Sequence, residues 1–158
     1  MANVSRQSAE IVSDQLTAIW NNFKTESTPL EYYADVITEL GARTASSSEE
    51  IATGLEKFAA VSGTVGLSYE YATSALATVT ATTRQSADVV GTAFKTLFAR
   101  IQDLELGETL EDGVNLGKYS EALNAVGISI MDQNGQLRAM DGILDDMGSK
   151  WGTLSKAQ

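Results

Sequence analysis

GLSYEYATSALATVTATTRQSADVVGTAFKTLFARI, residues Gly66 to Ile101, is the stretch whose reading decides the fold. Two helical patterns meet in it at a hydroxyl-rich turn. The first half carries Glu70 as its one charged residue before Arg84. The second half repeats large apolar residues at Val90, Phe94, Leu97 and Ile101, and the pattern continues to Leu104. Steps of four, three, four and three residues return to one face of a helix, so these five positions are expected to form a helix-packing interface. No nucleophile, metal cluster or phosphate loop interrupts the stretch, which therefore reads as packing against another helix rather than as chemistry.

Working outward toward the N-terminus, Ser46 to Glu50 has the form of a loop feeding a helix whose first-turn acids suit the positive end of its dipole. That helix is expected to run to about Val61, with Gly63 and Gly66 breaking the pattern and Ser68 capping the next one. Glu49 and Glu50 are no acid-base pair, because adjacent helical side chains diverge by about 100 degrees. Upstream, Leu30, Tyr33, Ile37 and Leu40 form a second stripe. Thr28, Pro29 and Glu31 are read as its capping box and start, and Gly41 as its stop. A first amphipathic helix spans Ser5 to Phe23 through Val12, Leu16, Ile19 and Phe23, with Trp20 read as packing beside the stripe.

Toward the C-terminus, three glycines and four acids between Leu104 and Gly117 mark a loop, and a short helix is expected from Lys118 to Val126. Calcium is a weak fit there, since the ligand spacing matches no known loop. Asn134-Gly135 between alternating residues predicts a short β-hairpin near residues 128–138. The same residues do not suit an EF-hand, because Ile130 stands where the first carboxylate ligand belongs. Met140, Leu144, Met147, Trp151 and Leu154 form a last stripe, still running at Lys156-Ala157-Gln158, which leads us to expect a piece cut from a longer polypeptide.

The expected class is thus all-α, with about six or seven amphipathic helices in hairpins or a bundle. Four regions are drawn: an N-terminal helical pair over 1–45, a central helical region over 46–105, an acidic connector over 106–117, and 118–158 with helix, turn and final helix. At 158 residues, 43% of them hydrophobic, the chain can bury a core. A formal charge of -10 disfavours a groove tracking nucleic-acid phosphates. Cys and His are both absent, which removes the usual zinc ligands and nucleophile pairs, so no metal, cofactor or small-molecule substrate is expected. No window reaches about 18 uninterrupted apolar residues, so membrane contact is not expected either.

Within this frame, residues 48–158 resemble a segment of phage and prophage tail tape-measure proteins. The resemblance lies in the order of features: the Ala/Thr-rich helix, Thr83-Arg84-Gln85-Ser86-Ala87, and Gly91 with Lys95 before Phe98 and Arg100. Glu121-Ala122-Leu123 leading to Gly127-Ile128, then Asp132-Gln133-Asn134-Gly135 and Trp151, complete it. It implies a long helical protein packed in several copies inside the tail tube of the virion, assembled in the host cytoplasm, whose length sets that of the tail. Its partners would be copies of itself and tail-tube, tail-tip or tail chaperone proteins. No catalytic residue is carried over, and no enzymatic activity is expected. Two other readings stay open: a generic helical interaction or signalling domain, and a carboxylate-dependent cell-wall hydrolase using Glu70.

Overall fold

Seven helices follow one another among the described residues: α1 (Ala9–Phe23), α2 (Leu30–Arg43), α3 (Ser48–Thr64), α4 (Tyr69–Thr83), α5 (Ala87–Leu106), α6 (Gly117–Ala125) and α7 (Met140–Trp151). The computed structural model describes residues 8–25, 27–106 and 117–155, and their side chains apart from 103–106 and 117–119. Residues 107–116 of the acidic connector, the Leu104 side chain and Lys156 to Gln158 lie outside the described part.

Serine starts most of these helices. Ser8, Ser47 and Ser68 each accept a bond from the backbone three residues on, and Ser47 completes a capping box with Glu50. Ser86 does the same for Val89 N at 3.4 Å. Helix α2 differs from its sequence reading. Pro29, not Thr28, is its N-cap and gives no side-chain bond, while the Thr28 hydroxyl pairs with that of Thr25. The box is lost because another hydroxyl is closer to hand.

Glycine ends two helices. Gly66 has φ +66 after α3, with Leu67 N donating to Ser62 O at 2.9 Å, and Gly127 has φ +75 after α6, with Ile128 N donating to Leu123 O at 2.8 Å. Both are the six-to-one closure in which a left-handed residue lets the chain satisfy an orphan carbonyl. Gly41 is no stop, since α2 continues to Arg43. A Cβ at Gly41 would lie 2.6 Å from Ser48 N, so its bareness admits the start of α3 beside α2.

The centre of the molecule is α3. It packs against α1, α2, α4 and α5. Ile51, Leu55, Phe58 and Ser62 form its buried stripe, flanked by the small buried residues Gly54 on one side and Ala52 and Ala59 on the other. Small residues at both edges of the stripe widen the face on which α3 meets its neighbours. Gln15 reaches Thr53 and Thr64 reaches Gln102, so α1 and α5 run parallel to α3 on either side. One hydrophobic cluster runs from Val12 to Ile143.

The hydroxyl-rich α4 enters this core because its threonines serve themselves. Thr73 Oγ1 donates to Tyr69 O and Thr83 Oγ1 to Val79 O, each one turn back. Thr73 and Thr80 are the two buried threonines of α4, and Thr80 Oγ1 is buried with no partner.

The hairpin near residues 128–138 is reduced to one antiparallel bridge, Met131 to Leu137, among the described residues. Its turn is not the two-residue Asn-Gly form, since Gly135 has φ +76 whereas Asn134 is not among the positive-φ residues. Gly135 N donates to Asp132 O at 3.2 Å, a type I turn closed by a left-handed glycine. Asp132 Oδ1 accepts from Asn134 N at 2.8 Å and Gln136 N at 2.9 Å, and these donors hold its carboxyl below the usual range. A lowered folded value means the turn's stabilisation is complete above the ordinary aspartate range and is lost as pH falls through the folded value. Carbon-detected NMR titration should therefore give Asp132 a midpoint below about 3.9. A midpoint at or above that value would contradict the turn.

Candidate interaction site

Helix α5 meets α3 at a pair of glycines. A Cβ at Gly91 would stand 3.0 Å from Gly54 Cα and closer still to its carbonyl oxygen; one at Gly54 would meet Leu76 and, at 2.9 Å, Ala87 O. Beyond this contact the rings of Phe58, Phe94 and Phe98 gather, with Phe58 to Phe94 at 5.3 Å edge-on and Phe94 to Phe98 at 5.6 Å stacked. Lys57 spans the two helices to Asp88 at 2.9 Å, and that carboxylate pushes the Lys57 ammonium upward. Both side chains are about half exposed, so the pair contributes little.

The five positions of the expected interface are distributed around this contact. Val90 is buried, Phe94 and Ile101 are partly buried against the core, and Leu97 is 43% exposed. Leu104 lies outside the described side chains. The most buried aromatic of α5 is Phe98, at 2%.

Leu97 opens onto a groove. Tyr71, Ala75 and Val79 of α4 form one bank, Phe94 and Leu97 of α5 the other, and Leu144 of α7 closes one end, around a cavity of ≈ 230 Å³. Helix α7 reaches it because Met140 N donates to Val65 O at 3.0 Å and Asp141 accepts from Ser68 N at 3.1 Å, tying its start to the turn between α3 and α4. The Tyr71 hydroxyl donates to Asp145 Oδ1 at 3.1 Å; burial first, then this carboxylate, pushes the phenol upward. Along α7 the apolar stripe emerges from the core, from Met140 at 0% to Trp151 at 71% exposed.

A larger depression lies where α3 and α5 begin, lined by Ser47, Glu49, Glu50, Ser86 and Asp88. Two helix N-termini would attract an anion, but their first-turn carboxylates already answer the dipoles. Glu70 sits exposed on the first turn of α4 and accepts from the Tyr32 hydroxyl, joining α4 to α2. That bond raises the Tyr32 phenol, and burial raises Tyr69, whose hydroxyl donates to Tyr33 O. Trp20 packs on the core with its ring under the Lys24 ammonium at 4.9 Å.

Among the described residues no group of three acids gathers to hold a metal ion, and no helix is long and apolar enough to cross a membrane. Gly54, Tyr71 and Val79 belong to the contact and the groove but were not singled out by spacing, whereas Leu144 stands in the last apolar stripe. The small Gly54 and the tyrosine at the start of a low-charge helix were the available signals. Compared with known families, residues 1–158 match the model described as phage-related minor tail protein. No solved structure matches the chain.

Proposed function

Because this chain belongs to the family of phage-related minor tail proteins, we propose that it is a segment of a tail tape measure, a scaffold and length ruler for polymerisation of the tail tube. The family places it in a structural role in the phage tail. The match over residues 1–158 carries the reading. The finer assignment is ours: the segment lies inside the tube, makes no turnover, and packs against copies of itself or against tube, tip or chaperone proteins through faces such as that of Phe94 and Leu97.

The physical support is the helix as a countable rod, rising about 1.5 Å per residue. Folded as compact helical hairpins the segment alone is not the ruler, so the reading requires either that other segments of a longer chain supply the extension or that these helices unpack and align end to end on assembly. Each buried face would then be passed to a neighbouring chain instead of to α3.

The reading is tested by in-frame deletions and duplications of α3 to α5 in the complete gene, with tail lengths measured by electron microscopy of purified particles. Removing residues 46–106 is expected to shorten tails by about 90 Å if the segment runs as helix, and duplicating them to lengthen tails equally. Tails of unchanged length in both directions would overturn it.

A further inference from the structure

We propose that the groove between α4, α5 and α7 is a docking site for an amphipathic helix of another protein, one whose apolar ridge is flanked by Lys and Arg. The floor fits such an occupant. Tyr71, Ala75 and Val79 stand one turn apart along α4, and Phe94 and Leu97 line the same opening from α5, so its lining is apolar and carries helical spacing along one bank. It accepts a ridge of side chains at helical spacing rather than a compact ligand. Ala75, small between Tyr71 and Val79, keeps the floor low enough there for a backbone to approach. Leu97 stays 43% exposed although the seam around it is closed, which is surface that an occupant would cover.

Charge selects the partner's flank. Asp145 accepts from the Tyr71 hydroxyl and Asp141 from Ser68 N, so two carboxylates stand at the Tyr71 end of the groove, and neither takes part in the ion pairs of the described residues. The cations of the adjoining segment are engaged elsewhere: Arg138 with Asp146, and the Lys150 ammonium with Val126 O and Gly127 O. On the opposite bank Arg100, nearly one turn beyond Leu97, is exposed. The acidic end therefore faces the partner's Lys and Arg, and the α5 bank beside Arg100 does not. A second copy of the chain is the weaker occupant, because each copy carries a formal charge of -10 and the two would repel.

This deepens the tail-assembly reading by naming the chemistry of one partner, and it rests on that reading only for where the partner is met. The test uses the whole chain and a fluorescently labelled synthetic helix of leucine and lysine, with a scrambled peptide of the same composition and a leucine and glutamate counterpart. Anisotropy at physiological salt should show the leucine-lysine helix binding and the other two failing. Leu97→Asp is expected to weaken binding by about tenfold or more while lowering the thermal midpoint by only a few degrees. That variant adds a negative charge, so loss of affinity for a cationic peptide cannot come from general attraction. Asp145→Asn should weaken binding severalfold. Equal binding of the scrambled peptide, or unchanged affinity in Leu97→Asp, would overturn the proposal. So would sedimentation showing self-association that depends on Leu97, which would give the groove to a second copy. Tail length does not enter this experiment, so the groove and the ruler can fail separately.

Discussion

Replacing Gly91 by valine is expected to destabilise the chain by about 3 kcal/mol, the upper part of the range for overpacking a core. The cause is what the new side chain would meet. Its Cβ alone would be 3.0 Å from Gly54 Cα and nearer to the Gly54 carbonyl, and these are backbone atoms that cannot rotate aside. Relief requires α5 to lift from α3, which also separates Phe94 and Phe98 from Phe58. Gly148 is the control. Nothing lies within 4 Å of its added Cβ, and it sits inside α7, so Gly148→Ala should stabilise by about 0.5–1 kcal/mol through helix propensity. Urea unfolding of both variants measures the pair. A Gly91→Val midpoint close to that of the parent would mean that the two glycines are not in contact.

That contact marks where sequence patterning reached its limit. The helix count, the serine caps and the ends at Gly66 and Gly127 follow from local rules, because each depends on residues within one turn of chain. The choice of buried face on α5 does not. Val90, Phe94, Leu97 and Ile101 are spaced four, three and four apart, but so are Ala87, Gly91, Phe94, Phe98 and Ile101 at four, three, four and three. Counting large apolar groups favours the first set. The fold buries Ala87, Gly91 and Phe98 together with Val90 of the first set and leaves Leu97 exposed, since the partner helix offers a glycine at the crossing and rewards close approach over bulk. Spacing carries no information about what stands opposite.

The same reasoning explains α3 and the groove. Ala52, Gly54, Ala59 and Ser62 add little to an apolar stripe when bulk is counted, yet their smallness beside Ile51, Leu55 and Phe58 is what lets α3 pack against four other helices. The groove joins residues from α4, α5 and α7, and Tyr71 meets Asp145 across a long interval of sequence. Long-range juxtapositions of this kind leave no periodic trace in one sequence. The Asp132 turn was half legible: Asn-Gly marks the reversal, but the choice between two-residue and longer forms depends on whether Asp132 captures Asn134 N and Gln136 N first.

Phe58→Ala should cost about 3–5 kcal/mol, the loss expected for truncating a fully buried aromatic. Phe58 is 0% exposed, stands on the central helix, and touches both phenylalanines of α5, at 5.3 Å and 5.9 Å between ring centres. Its removal leaves a void at the junction of α3 and α5 that neither helix can close, because the glycine contact one turn away already holds the backbones together. Phe58 also lines the groove floor, so the void would merge with the groove and admit water. Leu97→Ala supplies the contrast at the same groove: a side chain 43% exposed has little burial to lose, and the expected cost is about 1 kcal/mol or less. Combining Phe58→Ala with Phe94→Ala should cost less than the sum of the two, by about 0.5–1.5 kcal/mol, since the edge-on ring pair is lost only once. Additive costs would place the two rings apart, and a Phe58→Ala cost near that of Leu97→Ala would remove α3 from the centre of the fold.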